Sequence, residues 1–195
     1  MSIVIIESPD RHGKSTCVDH LVKNHGFGGM HFGRPEGDDS RQRALYQKAT
    51  FDRTFRFISA LEGQQARIVL DRGHLGEWVY GPLYRAGSGV DLAYLWEGED
   101  PAWRDVYLVL LHHRDLDVIR SRDDGLGFDI SKLEDEQRRF HEAFELSRIR
   151  NKVVIDVTTS TIPQMLKELE DVIGLPNVSI TMPQARVEPV GLIKG

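Results

Sequence analysis

Ile3-Val4-Ile5-Ile6-Glu7-Ser8-Pro9-Asp10-Arg11-His12-Gly13-Lys14-Ser15-Thr16 opens on a short β-branched run and closes on a glycine, a lysine and two hydroxyl residues. It reads as a buried strand, a tight loop and the first turn of a helix. That is the setting of the phosphate-binding pattern G-x-x-x-x-G-K-[ST]. Gly13, Lys14 and Ser15 fill its last three positions, and Ser8 replaces its first glycine. Backbone N–H groups of the loop and the helix start can cradle the phosphates of ATP among Arg11, His12, Gly13, Lys14, Ser15 and Thr16. Lys14 adds a mobile positive charge, and the Ser15 hydroxyl suits Mg²⁺. The Cβ of Ser8 narrows the backbone choices of the first turn. The stretch therefore predicts an enzyme that uses a nucleotide.

Further apolar runs lie at 30–32, 68–70, 106–111 and 153–157, and helical patterns separate them. Short β-branched strands alternating with helices predict an α/β fold with a central five-stranded parallel sheet flanked by helices. Leu45, Ala49, Phe55, Ile58 and Leu61 recur at helical spacing over 44–61. Ser131-Lys132-Leu133-Glu134 reads as a capping box that opens a helix running to about residue 150, with Leu133, Phe140 and Phe144 on one face. Ile162, Met165, Leu166, Leu169, Val172 and Ile173 form the cleanest amphipathic stripe, ended by Gly174 and Pro176. One domain over 1–176 is expected, with an aperiodic tail at 177–195.

The chain has 195 residues, 40% of them hydrophobic and 28% charged, enough for one soluble globular domain with a proper core. A net charge of −5 argues against general binding to nucleic acid or membrane surfaces and favours a small anionic substrate, with DNA a less expected partner. Cys17 is the single cysteine, which precludes an intrachain disulfide; it is expected as a buried small hydrophobe on the first helix. No export signal is recognisable, so a cytoplasmic setting is expected. His74, His112 and His113 lack a dependable ligand spacing and read as polar residues at strand ends, with no zinc site expected there.

Asp71-Arg72 ends the strand at 68–70, and ligands of open α/β sheets collect at the carboxyl ends of strands. Arg72 can hold a phosphate in bidentate fashion, and Asp71 can orient Mg²⁺ or the arginine. With these residues in place, the chain resembles the thymidylate kinase family over roughly residues 1–160. That family carries E-G-x-D-x-x-G-K-S-T, an R-E-P-like turn, a helical D-R, and D-R followed by a tyrosine. Glu7 to Thr16, Arg34-Pro35-Glu36-Gly37, Asp52-Arg53, and Asp71-Arg72 with Tyr80 stand in those places.

The resemblance implies a three-layer P-loop kinase fold and ATP- and Mg²⁺-dependent phosphorylation of a deoxypyrimidine monophosphate, dTMP or a close analogue. Asp10 is then expected near the sugar 3′-hydroxyl and the metal-bound waters, and Arg72 on the acceptor phosphate. Arg34 and Arg53 belong to the same substrate site, Arg53 facing the base or its phosphate. Tyr80 crowds the sugar 2′ position against ribonucleotides. Arg11, Lys14 and Asp10 are the expected catalytic residues, Arg11 stabilising charge on the transferred group. Ser15 and Asp71 serve the metal. A lid over about 120–130 brings Arg120 and Arg122 toward ATP. The family commonly forms homodimers.

Two departures stand out. Ala49 occupies the place of the base-stacking aromatic one turn before Arg53, leaving Phe51, Tyr46 or Trp78 as replacements. The segment 73–84 keeps Tyr80 without the family's polar neighbours. Two other readings stay open: a kinase with a hydroxyl acceptor, a deoxynucleoside or a hydroxymethylated base in DNA, with Asp10 or Glu7 as general base, and a non-catalytic nucleotide sensor.

Overall fold

The computed structural model describes residues 2–33, 39–85, 92–121 and 129–175, with backbone alone at 92, 93 and 130. Arg34, Arg122 with the rest of 122–128 in the expected lid, and the 177–195 tail lie outside the described residues. Five strands, β1 (Ile3–Glu7), β2 (Gly28–His31), β3 (Ile68–Asp71), β4 (Val106–His112) and β5 (Asn151–Asp156), form one sheet in the order β2-β3-β1-β4-β5. Every pairing is parallel. Parallel neighbours cannot be joined by a tight hairpin, so helices carry the chain back across the faces. These are α1 (Lys14–His25), α2 (Ser40–Leu61), α3 (Leu75–Tyr84), α4 (Leu92–Gly98), α5 (Leu116–Ser121) and α6 (Leu133–Leu146), and α7 (Ile162–Val172) follows the last strand. Among the described residues no helix is long and apolar enough to cross a membrane.

The three layers follow from the two-residue period of the central strand. Ile3 and Ile5 of β1 face a core built from Phe51, Phe55 and Ile58 of α2, Leu75 and Val79 of α3, and Phe140 and Phe144 of α6. Val4 and Ile6 face the opposite core, with Cys17 and Leu21 of α1 and Met165, Leu166 and Leu169 of α7. Every residue of β1 is buried, which is why its sequence reads as an uninterrupted apolar run rather than an alternation.

The strands extend past the apolar runs into polar residues. Asp71 still pairs with Ile6, and His112 with Asp156, because the ladder is made by the backbone whatever the side chain. β2 starts at Gly28 and Gly29, which pair with Ile68 and Val69, two residues before its apolar signal. Helix ends differ more. The capping box expected at Ser131 is absent: its hydroxyl donates to Asp129 Oδ1 at 2.6 Å, a short 3₁₀ turn covers Ile130–Lys132, and α6 begins only at Leu133. The helix stops at Leu146 instead of about residue 150, because Ser147 turns to ψ 139° and its hydroxyl donates to the buried Glu99 at 2.8 Å. The reciprocal box belongs to α7, where Thr161 and Gln164 cap each other.

Candidate active site

The loop between β1 and α1 is shaped by two left-handed residues, Arg11 at φ 69° and Gly13 at φ 88°. Gly13 is the N-cap of α1, and a Cβ there would lie 3.2 Å from Met165 Sδ, so glycine answers both the backbone and the packing. Positive φ among the described non-glycine residues falls at Arg11, Gln65 and Arg72, not at Ser8. Serine therefore replaces the first glycine of the pattern without strain. It is buried, and its hydroxyl donates to the Pro9 carbonyl at 2.8 Å.

The end of β1 is fixed by Glu7, which is wholly buried. Its Oε1 accepts from the N–H groups of Gly73 at 3.0 Å, Leu75 at 2.9 Å and Gly76 at 3.3 Å. It thus satisfies the start of α3, whose N-cap His74 makes no side-chain cap of its own. Burial raises the pKa of this carboxyl, partly offset by His74, the Gly76 N–H and Lys14. Glu7 is committed to joining strand to helix, which leaves Asp10, of the two general-base candidates, as the one exposed to a ligand.

A cleft of about 440 Å³ opens at the carboxyl ends of the strands. Asp10, Arg11, Gly13, Lys14, Ser15 and Thr16 line it from the loop and the first turn of α1; His31, Asp71 and Arg72 line it from β2 and the end of β3. On its floor Lys14 Nζ donates to Asp71 Oδ1, and His31 Nδ1 donates to Asp71 Oδ2 at 2.9 Å. Burial alone would raise the Asp71 carboxyl, but these two partners outweigh it and hold the group below its ordinary range. On the other side Arg72, at φ 69°, donates from Nη2 to Asp10 Oδ1 at 2.7 Å. Its guanidinium lies 5.7 Å from the centre of the Tyr80 ring. Arg72 Nε is buried and has no partner among the described residues. Left-handed backbone at a non-glycine residue costs about 1–2 kcal/mol. Two of the three such residues stand on this cleft.

The sequence-predicted residues Asp10, Arg11, Gly13, Lys14, Ser15, Thr16, Asp71 and Arg72 are gathered here, with Tyr80 directly behind Arg72. Others are placed elsewhere. His12 is buried rather than on the cleft: its Nδ1 donates to the Asp10 carbonyl at 2.9 Å, and Gln137 Oε1 of α6 sits 3.2 Å from its Nε2. Burial holds the pKa of this imidazole below its ordinary value, so it anchors the loop as a neutral ring. Arg53 is exposed on α2 and does not line the cleft, although its neighbour Asp52 accepts from the Tyr94 hydroxyl at 2.5 Å. Arg120 is paired with Asp117 at 2.6 Å and Glu134 at 2.8 Å, on the surface. Of the candidate stacking aromatics, Phe51 belongs to the core, Tyr46 is exposed, and Trp78 packs against the core. His74 is bonded to Glu99, His112 to His141 at 2.8 Å, and His113 Nδ1 accepts from the Asp115 N–H at 3.1 Å.

Three residues were missed in the sequence. His31 ends β2, where the strand-end rule could have found it. Tyr84 and Glu136 carry no such signal: they meet across 52 residues, where the Tyr84 hydroxyl donates to Glu136 Oε1. Burial pushes the Glu136 carboxyl up to about 7, opposed by the Tyr84 bond and reinforced by Asp10 and Asp129. It lies beside Tyr80, whose hydroxyl is likewise driven well above its ordinary value by burial and by Asp10 and Glu136.

The fit to a metal–nucleotide ligand can be judged from these groups. The first turn of α1 has no side-chain cap, so its N–H donors and positive helix end face the cleft uncompensated. Hydroxyl and carboxylate oxygens at Ser15 and Asp71 are the hard donors that Mg²⁺ takes. The residues fit.

No protein-family model and no curated protein sequence matches the chain. Solved structures do. The YorR protein of Bacillus subtilis, in complex with phosphorylated GDP, superposes with a TM-score of 0.67 at 15% identity, over 89% of this chain and 96% of that one. Thymidylate kinase from Candida albicans gives 0.61 at 19% identity, over 89% and 91%. Deoxyadenosine kinase from M. mycoides with bound dCTP gives 0.51 at 14% identity, over 88% and 98%. The chain therefore has the fold of the P-loop nucleotide and nucleoside kinases: a five-stranded, all-parallel central sheet flanked by helices.

Proposed function

We propose that the protein transfers the γ-phosphate of ATP to the 5′-phosphate of a deoxypyrimidine monophosphate, dTMP or a close analogue. The fold hosts a thymidylate kinase and a deoxyadenosine kinase alike, so the acceptor is argued from the site. One observation carries the reading. Arg72 stands with its guanidinium fixed by Asp10 on the same cleft that Lys14 lines from the start of α1. Two cationic anchors on one cleft suit a reaction between two phosphates. A hydroxyl acceptor needs a base and gives the second cation nothing to hold.

Bound Mg²⁺ supplies neutralisation of the transferring phosphates, and Ser15 with Asp71 would hold it. Lys14 exchanges its Asp71 partner for phosphate oxygens, which frees that carboxylate. The Arg72 guanidinium takes the acceptor phosphate while Asp10 keeps its plane in place and meets the sugar 3′-hydroxyl. Arg11 offsets charge on the group in flight, an effect worth on the order of 10³–10⁵ in rate in related systems. The remaining acceleration comes from holding donor and acceptor in line. Tyr80, behind Arg72, closes the sugar pocket against a 2′-hydroxyl.

The test is ADP release with Mg·ATP and, in parallel, dTMP, dUMP, hydroxymethyl-dUMP, dCMP, dGMP, thymidine and hydroxymethylated DNA. Strong turnover on one pyrimidine monophosphate is expected. Turnover on thymidine or DNA alone overturns the acceptor assignment and makes Asp10 a general base, and silence on every acceptor favours a nucleotide sensor.

A further inference from the structure

On the face of the sheet formed by α1 and α7, three buried side chains converge that play no part in the cleft. His20 Nε2 lies 2.8 Å and His25 Nε2 2.7 Å from the same oxygen, Glu170 Oε1. The side chains of His20, His25 and Glu170 are 3%, 4% and 2% exposed. Among the described residues this is the one group of three ligand-bearing side chains whose donor atoms all lie within 4.8 Å of one another. We propose that His20, His25 and Glu170 form a binding site for a divalent metal ion of the Zn²⁺ type, which clamps the phosphate-loop helix to α7.

The donor set selects the ion. Two imidazole nitrogens and a carboxylate oxygen match Zn²⁺ and its neighbours, whereas Mg²⁺ and Ca²⁺ prefer oxygen alone. Donor atoms around a tetrahedral Zn²⁺ stand roughly 3.3 Å apart, given bonds of about 2.0–2.1 Å. The present separations of 2.7 and 2.8 Å need an opening of about half an ångström, within reach of side-chain rotation. Protonation states also suit the ion. The two histidines hold the Glu170 carboxyl below its ordinary range against burial, so it is already the carboxylate a metal requires. This buried carboxylate is held by hydrogen bonds from those imidazoles, and a bound cation would neutralise its charge.

An outer partner is present for one ligand. Asn24 Nδ2 is 2.8 Å from His20 Nδ1. On binding, each neutral imidazole moves its single proton from Nε2, which now donates to Glu170, to Nδ1, and gives the metal the Nε2 lone pair so freed. For His20, rotation of the Asn24 amide turns its oxygen to accept that proton. No proton leaves a neutral ring; a protonated ring releases one, so affinity falls in acid. Lys14, Ser15 and Thr16 begin the helix that carries His20 and His25, so the ion would brace the phosphate loop from behind.

The experiment titrates ZnCl₂ into chelator-treated full-length protein by calorimetry, for wild type and Glu170→Gln. Weak sites such as His31 with Asp71 are common to both and cancel. Wild type is expected to bind one more Zn²⁺ per chain than the variant, and its thermal midpoint to rise further with Zn²⁺. Equal stoichiometry in two folded proteins overturns the proposal. The wild type alone gives a second reading, needed if the variant fails to fold. One equivalent of Zn²⁺ should shift the ¹⁵N resonances of His20 and His25 Nε2, and resonances that stay in place overturn the site and leave a hydrogen-bonded triad.

Discussion

Replacing Glu136 by glutamine should change how stability depends on pH, in an amount that follows from its surroundings. The side chain is buried between α6 and α3, with Oε1 accepting from Tyr84 and Oε2 without a partner among the described residues. Its carboxyl is raised from an ordinary 4.5 to about 7. Between those values the folded protein holds a proton that the unfolded chain has released, so stability falls as pH rises. The loss is absent below the unfolded value and complete above the folded one. At about 1.4 kcal/mol for each tenfold change in proton affinity, the full loss is about 3 kcal/mol. Glutamine keeps the shape and an acceptor for Tyr84 but does not titrate. In urea unfolding followed by tryptophan fluorescence, Glu136→Gln should gain about 2–3 kcal/mol relative to wild type between about pH 5 and about pH 8. Two stability curves separated by the same offset at every pH would refute the reasoning.

Other perturbations probe the cleft and its frame. Arg72→Gln removes the guanidinium; the KM for the acceptor monophosphate should rise at least about tenfold, the scale of one lost charged hydrogen bond, with the KM for ATP nearly unchanged. Equal rises in both would place Arg72 elsewhere. Gly73→Ala puts a Cβ 2.7 Å from Ile5 Cγ2 and 3.0 Å from Glu7 Oε1, a cost of about 1–3 kcal/mol in chemical denaturation. Cys17 is fully buried and its thiol is pushed up to about 12 by that burial, so a thiol reagent at mildly alkaline pH should label it only after denaturant is added.

Much of the fold was legible because parallel strands buried on both faces leave dense apolar runs. Those at 3–6, 68–70, 106–111 and 153–157 all became strands, and the phosphate loop fell between β1 and α1 as its pattern requires. Helix ends were read less well. A hydroxyl residue three positions before a glutamate is a local signal, and at Ser131 a competing local acceptor, Asp129, won. The site was legible where its residues are close in sequence, at Asp10, Arg11 and Gly13 to Thr16 and at Asp71-Arg72. It was not where it depends on distant pairing. Nothing near His12 shows that its ring turns inward to Gln137, 125 residues away, and nothing near Glu136 announces Tyr84. Such contacts are set by how α6 packs on α3 and on the phosphate loop, and the apolar period of a helix does not say which polar residue on another element it meets.

The central claim is that this cleft moves a phosphoryl group from ATP onto a nucleoside monophosphate. Its most direct test follows radiolabel from γ-labelled ATP, with Mg²⁺ and dTMP, in wild type and Lys14→Ala. Label should appear in the β-position of a deoxynucleoside diphosphate with wild type and nearly vanish with the variant. Label released only as inorganic phosphate, or a variant within about threefold of wild type, would contradict the account.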